Sequence, residues 1–458
     1  MLNLDLATIA RWTDGRLQGT GADLRIDSVS TDSRTLAGNA LFVALRGEHH
    51  DAHDFVGSAQ GNGAAAALVE HGVAVELPQI VVANTEKALG QLAAAVRRQR
   101  DVCVIGITGS NGKTTVKSLV AGILSRHAPT HFNSGSFNNE IGLPLTLLAM
   151  PDDSRFAVLE MGAGKPGDID YLVRIAQPQI GLVNNIAPAH LERMGSLVAI
   201  AETKGALYAG LPQTGIAVIN ADDAFAGTFA ALAGSRRVVR FGLGSNTDVS
   251  ARIDAGVAGN TFVLVVPAAE IEITLPLAGR HNLLNALAAA SVALACDVPL
   301  ATIKAGLEAA TAVAGRSARR AHASGAEIID DTYNANPASF AAAIATLAAS
   351  QGRKVLVAGD MRELGGDAEI LHAGIGKLAR SSGIDVLYAV GELSRATAAA
   401  FGESARHFPD QSALIQALRS ELTASTTLLV KGSRGSAMER VVNALLVVDA
   451  EKGERHAA

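Results

Sequence analysis

The chain alternates short apolar runs with longer Ala- and Leu-rich stretches, the pattern of strands packed beneath helices. Over residues 1–100, β-type runs at Leu24–Ile26, Ala40–Leu45 and Ile80–Ala83 are interleaved with Ala-rich helical stretches. The charged cluster Arg97-Arg98-Gln99-Arg100-Asp101 then reads as a linker, and the pattern changes after it. VCVIGIT (102–108) is a continuous apolar run, followed by Gly-rich residues and a helical stretch, VKSLVAGILSRH (116–127). Strand, glycine turn and helix open a doubly wound unit. RFAVLEMGA (155–163), QIGLVNNIA (179–187) and GIAVIN (215–220) predict further strands, and RHNLLNALAAASVALA (280–295) a long helix before the unit closes near residue 313. From Ser317 onward, EIIDDT, KVLVAGD, DVLYAVGE and TLLVKGS predict strands at 327–332, 354–360, 385–392 and 427–433, separated by helices. Strands this uniformly apolar belong in parallel sheets covered on both faces. The fold class expected is α/β in three domains: a small α/β N-terminal domain (1–100), a central parallel-sheet domain (101–314) and a C-terminal Rossmann-like doubly wound domain (315–458).

Composition narrows the partners. The 458 residues carry Lys+Arg 39 against Asp+Glu 44, a net charge of −5, with aromatics at only 4%. Neither a basic field for a nucleic-acid backbone nor aromatic platforms for bases are present, so nucleic acid is excluded as the main partner. Two cysteines, Cys103 and Cys296, supply no disulfide framework, and their apolar neighbours predict buried structural thiols. The N-terminal MLNLDLATIARW lacks a basic region followed by an apolar run, and no apolar stretch reaches the roughly 18 residues of a membrane span. A cytoplasmic protein without membrane insertion is expected.

The strongest chemical signal is ITGSNGKTT (107–115). A full phosphate-loop pattern wants a glycine where this chain has Ile107; Gly106 stands one residue too early. What remains is Gly109-Ser110-Asn111-Gly112-Lys113-Thr114-Thr115, placed after a strand and before a helix. Glycines let backbone N–H groups turn onto phosphates, and the helix N-terminus adds its positive end. Lys113 offers a point charge to the β/γ-phosphates and Thr114 a hydroxyl for Mg²⁺. Such a loop fits a kinase, a GTPase, a motor or a ligase equally well. Downstream, Glu160 ends an apolar strand at the ligand edge of the sheet and suits Mg²⁺. His190 lies in the loop APAHLE, and Lys204 in AETKGALY; each alone is as readily structural as functional. HHDAH (49–53) has metal-like composition, but no Cys or His partner set lies near it.

TGSNGKTT, VLEMGA, NNIAPAHLERMGS, AETKG, GRHNLLNALAAA (279–290) and AGRSAR (314–319), in this order, resemble the Mur ligase superfamily of peptidoglycan amino-acid-adding enzymes. The resemblance spans essentially the whole chain. It implies an ATP-dependent ligase with two Mg²⁺ sites: Thr114 and Glu160 serving the first, His190 and a CO₂-derived carbamate on Lys204 holding the second. It implies Lys113, His190 and Lys204 as catalytic, and Asn282 and Asn285 at the adenine, with helix capping as their competing role. Arg316 would reach the phosphates and Asp331 the ribose. ATP would then lie between the central and C-terminal domains, and closure would assemble the site.

STDSRTLAGNALFVALRGEHHDAHDF (30–55) resembles the uridine-binding N-terminal domain of the family, with Ser33 and Arg34 as UDP contacts. FNNEIG (137–142) would border the nucleotide-peptide substrate through Asn138 or Asn139. The Asp-Asn-Pro-Arg motif of members adding the third residue is absent. DDTYNANPASF (330–340), GDMRELG (359–365) with His372, and VKGSRGSAME (430–439) are instead similar to members that add D-alanyl-D-alanine. Asn334 and Asn336 would hold the dipeptide or serve as turn-forming residues, and Lys431 and Arg434 would face substrate. The substrates implied are UDP-N-acetylmuramoyl-tripeptide and D-alanyl-D-alanine, and a monomer is expected. No residue is assigned as base for the incoming amine.

Overall fold

The computed structural model describes residues 2–47, 50–135, 137–188, 191–253 and 260–446. His190 and His49 therefore lie outside the described residues. The first sheet contains β1 (Arg16–Gln18), β2 (Ser28–Ser30), β3 (Ala40–Val43), β4 (Ala64–Val69) and β5 (Gln79–Val81), in the order β1-β5-β4-β3-β2. Only β1 runs antiparallel to its neighbour. The helix α1 (Thr85–Arg98) follows, capped by Asn84, whose side chain accepts from Lys87 N.

The central sheet is fully parallel: β6 (Cys103–Thr108), β7 (Thr130–Phe132), β8 (Phe156–Glu160), β9 (Ile180–Val183), β10 (Ile216–Asn220) and β11 (Arg237–Phe241). Their order is β11-β10-β9-β6-β8-β7, which places β6 inside, with β8 and β9 on its flanks. The chain leaves β6 on one side and returns to the other, so the carboxyl end of β6 is a switch point where a crevice opens. The sheet's helices include α2 (Lys113–Leu124) and α3 (Leu197–Ala209). A three-stranded antiparallel sheet (β12, Ser250–Arg252; β13, Thr261–Val266; β14, Ala269–Thr274) precedes α4 (Arg280–Ala295).

The last sheet holds β15 (Ala318–Ala321), β16 (Glu327–Asp331), β17 (Arg353–Gly359), β18 (Val386–Val390), β19 (Ala405–Phe408) and β20 (Thr426–Lys431), in the order β15-β16-β20-β17-β18-β19. All pairs are parallel except β15 with β16. The helix α5 (Pro337–Ala348) follows β16.

The two-residue period of a strand explains why these sequences are apolar throughout. In β16, Ile328 faces one core and Ile329 the opposite one; Val355 and Val357 part from Leu356 and Ala358 in the same way. In the central sheet Val104, Ala157 and Leu159 pack on one face, and Ile105, Ile107 and Val158 on the other. The three large sheets are buried on both sides, as the sequence predicts, whereas the three-stranded antiparallel sheet leaves one side exposed. The first core does not stop at residue 100: Leu41, Leu68 and Ile80 share it with α1, Leu159 and Val183.

Two readings need correction. The 97–101 cluster is not a free linker. Arg98 still belongs to α1, and Arg97 is only 5% exposed. Its guanidinium donates to the carbonyls of Arg100, Val102, Ala176 and Gln177, so a buried cation is stabilised by four acceptors and ties the first sheet to the second. Cys103 and Cys296 are half-buried rather than buried, and the two thiols are neighbours. Hydrogen bonding to Cys296 and the nearby Arg97 hold the Cys103 thiol below its ordinary pKa against the opposing effect of burial. Among the described residues no helix is long and apolar enough to cross a membrane.

Candidate active site

The carboxyl end of the central sheet faces that of the last sheet across a cavity of about 1230 Å³. The phosphate loop lies at its floor. Gly112 has φ +78°, and a Cβ there would stand 2.5 Å from Asn285 Oδ1 and 2.6 Å from Asn184 Nδ2, so the position demands glycine. The loop is stitched to the segment after β9: Ser110 Oγ donates to Ala187 O at 2.9 Å, and Asn111 N donates to Asn185 Oδ1 at 2.9 Å. Helix α2 begins at Lys113, so its free N–H groups and dipole point into the cavity. The Lys113 ammonium folds back onto Gly109 O at 2.8 Å, and burial lowers its pKa while Glu160 raises it.

Asparagine amides link this floor to the rest of the site. Asn184 Nδ2 donates to Asn111 O and to Asn285 Oδ1, Asn285 Nδ2 to Asn282 Oδ1, and Asn282 Nδ2 to Ala278 O. From the opposite wall, Asn336 Nδ2 donates to Asn111 Oδ1 at 2.8 Å. Asn184 and Asn185 carry this stitching, yet nothing in NNIAPAH singled them out beyond their place at a strand end.

Glu160 sits level with Ile107 in the neighbouring strand, directly beside the loop. Thr114 Oγ1 donates to its Oε2 and Asn138 Nδ2 to its Oε1, both at 2.7 Å. Neutral donors thus aim the carboxylate, with the Lys117 ammonium 3.7 Å from Oε2, and a hydroxyl beside a carboxylate is an oxygen donor set suited to Mg²⁺. Lys204, 2% exposed on α3, forms no ion pair among the described residues. Burial and the charge of Lys113 push its pKa well below the ordinary lysine value, opposed by Asp168. That favours the neutral amine, the form that takes up CO₂.

The opposite wall belongs to the last sheet. Asp331 and Lys431 end adjacent parallel strands and are register partners. Lys431 Nζ lies 2.5 Å from Asp331 Oδ2 and donates to Asn334 O at 3.0 Å, while Ser317 N donates to Asp331 Oδ1. Arg316 stacks over the Tyr333 ring at 4.0 Å, and Arg434 approaches the same ring at 5.8 Å. Among the described residues the buried Arg316 Nε has no partner, a donor in want of an anion.

Ser110, Asn111, Gly112, Lys113, Thr115, Asn138, Asn139, Glu160, Asn282, Asn285, Arg316, Asp331, Asn334, Asn336, Lys431 and Arg434 all border this cavity. Several have local duties as well. Asn336 caps α5, accepting from Ser339 N, and Asn139 accepts from Gly142 N at the start of the Gly142–Leu148 helix. Asn334 Oδ1 accepts from Ala335 N. The two first-sheet candidates are not brought here. Arg34 pairs bidentately with Asp32 at the surface, and the Ser33 carbonyl accepts from Asn62. His53 of the HHDAH stretch is spent on Asp51 and on Glu70 N, and no cluster of three or more His, Cys, Asp or Glu placed to hold a metal occurs among the described residues. His372 is likewise structural: its Nε2 accepts from Met361 N and its Nδ1 faces Ala368 O.

The chain matches three family models in order: the Mur ligase family catalytic domain over 25–97, the Mur ligase middle domain over 107–293 and the Mur ligase glutamate ligase domain over 315–434. It is 43% identical to the UDP-N-acetylmuramoyl-tripeptide–D-alanyl-D-alanine ligase of Escherichia coli (strain K12), the match covering 97% of this chain and 99% of the relative. A crystal structure of MurF from Acinetobacter baumannii superposes with a TM-score of 0.91 at 35% identity, covering 97% of this chain and 99% of that one. MurF ligase from Thermotoga maritima, solved in complex with ADP, superposes with a TM-score of 0.84 at 27% identity, over 94% and 98% of the two chains. With its phosphate loop, strand-end carboxylates and sheet order in place, the chain belongs to the Mur ligase family.

Proposed function

We propose that this chain is an ATP-dependent, ADP-forming ligase that joins D-alanyl-D-alanine to UDP-N-acetylmuramoyl-tripeptide in cytoplasmic peptidoglycan precursor synthesis. The observation that carries the reading is the single cavity bounded by the phosphate loop and Glu160 on one wall and by Arg316, Asp331 and Asn334 on the other. ATP would lie on the α2 N-terminus, its phosphates between Lys113 and Arg316 and its ribose at Asp331. We assign residues 1–100 to the UDP end of the acceptor with Ser33 and Arg34, 101–314 to ATP, and 315–458 to the dipeptide, with Asn334 and Arg434 facing it. We read the enzyme as a monomer.

In the reaction, a carboxylate oxygen of the tripeptide attacks the γ-phosphorus of ATP, giving an acyl phosphate and ADP. The free amine of D-alanyl-D-alanine then adds to the acyl carbon, the tetrahedral intermediate collapses, and the amide forms as phosphate leaves. Lys113 leaves its loop carbonyls to neutralise charge on the transferring group, and Arg316 turns its unpaired Nε to the same oxygens. The amide bridge from Asn336 to Asn111 ties the two walls, and their closure on substrate would exclude water that hydrolyses the acyl phosphate. Thr114 and Glu160 would hold one Mg²⁺, and Lys204 as its carbamate, with His190, a second. Bound there, the metals supply Lewis-acid neutralisation of phosphate oxygens.

The test is phosphate release with ATP, UDP-N-acetylmuramoyl-tripeptide and D-alanyl-D-alanine. Turnover requiring all three is expected; turnover with single amino acids instead of the dipeptide would overturn the assignment. Lys204→Ala should be nearly inactive and recover partly with a small added carboxylate.

A further inference from the structure

Lys117 takes no part in the mechanism above, and a lysine on a helix is ordinarily a solvated side chain. Here it is 3% exposed. It follows Thr114 by three positions on α2, so both side chains lie on one face and reach the end of β8. Its ammonium donates to the carbonyls of Asn133 at 2.8 Å and Gly135 at 3.0 Å, and stands 3.7 Å from Glu160 Oε2.

The segment between β7 and the Gly142–Leu148 helix is held largely by side chains. Asn133 Oδ1 accepts from Glu160 N, and its Nδ2 donates to Phe137 O. Asn138 grips Glu160 Oε1, and its carbonyl accepts from Gly162 N at 2.7 Å. The loop is therefore wrapped around the strand end that carries Glu160. From there it presents Phe137, 56% exposed, with Asn138 and Asn139 to the cavity.

We propose that Lys117 is a positioning residue for the acceptor: its ammonium fixes the loop bearing Phe137, Asn138 and Asn139 on the Glu160 strand end, so that the acceptor's carboxylate meets the phosphoryl group in register. An ammonium has three N–H bonds; two go to loop carbonyls, and the third side faces Glu160. An uncharged replacement leaves those carbonyls without their donor and frees the loop, while the phosphate loop keeps its own stitching to Asn185 and Ala187. The inference rests on the reading of this loop as the acceptor's border.

The experiment measures UDP-N-acetylmuramoyl-tripeptide binding to the full chain by calorimetry, and KM for both acceptor and ATP, in wild type, Lys117→Met and Lys117→Gln. Lys117→Met should weaken acceptor binding and raise acceptor KM by about 10-fold, with KM for ATP changed less than about 3-fold, as for loss of a charged hydrogen-bonding group at one subsite. Lys117→Gln, which keeps N–H donors, should show a smaller loss, and it carries the test if the Met variant does not fold. Unchanged acceptor binding, or an equal rise in both KM values, would overturn the proposal. A wild-type chain that does not bind the acceptor would overturn the assignment of the loop itself, and the proposal with it.

Discussion

Glu160 and Asp331 are the same device built twice, with opposite results. Each is an acid at the carboxyl end of a parallel strand, and each has a buried lysine for company. Lys431 stands 2.5 Å from Asp331, whereas Lys117 stands 3.7 Å from Glu160 and gives its hydrogen bonds to carbonyls instead. Asp331 is neutralised in place and becomes part of the wall. Glu160 is satisfied by a hydroxyl and an amide, so its charge remains available to a cation. A direct hydrogen-bonded ion pair leaves Asp331 suited to neutral hydroxyls such as a ribose, while the looser pairing at Glu160 leaves it suited to a cation.

That contrast can be broken experimentally. Lys431→Met should leave the half-buried Asp331 without its ion-pair partner, held by Ser317 alone, and destabilise the fold by about 1–3 kcal/mol, read as a fall in denaturation midpoint. Glu160→Gln keeps an acceptor for Thr114 but turns an NH2 group onto Asn138 and removes the charge facing Lys117, and should lower that midpoint less than Lys431→Met does. Its turnover should fall by about 10³-fold, roughly 4 kcal/mol in barrier. If the two variants exchange phenotypes, the contrast is wrong.

His281, beside the Asp331–Lys431 pair, supplies a finer probe. Burial lowers its pKa, Asp331 raises it and Lys431 lowers it. The folded value lies below the unfolded 6.5, so the unfolded chain binds more protons between the two. Stability is retained above about 6.5 and falls as pH drops toward the folded value, at no more than about 1.4 kcal/mol per pH unit for this group. Denaturation at pH 7.5 and 5.5 should show the loss, and His281→Gln should reduce it. The smallest effect is expected from Asn336→Ala, which removes the α5 cap and its bridge to Asn111 at about 1 kcal/mol.

The fold was legible because the strands of its large sheets are short β-branched and Leu-rich runs and its helices longer Ala-rich stretches, a contrast that survives any error in their ends. The phosphate loop was legible because a glycine turn between strand and helix has few other uses. Lys117, Asn184 and Asn185 were not. Their roles depend on which strands become neighbours, and β6, β8 and β9 are brought together from widely separated stretches of chain. Arg97 misled for the same reason: a cluster of arginines is polar in sequence, and only the carbonyls of Ala176 and Gln177 make one of them a core residue.

A primary amide has a direction, with a donor at one end and an acceptor at the other. From Asn184 through Asn285 and Asn282 to Ala278 every donor points the same way. The orientation of one link therefore dictates that of the next, as in a row of arrows. An aspartate at Asn285 has no donor to pass on and would meet the Asn282 oxygen head to head, while a turned amide at Asn184 would face Asn285 with like ends. The series thus behaves as one compound residue, altered as a whole or not at all.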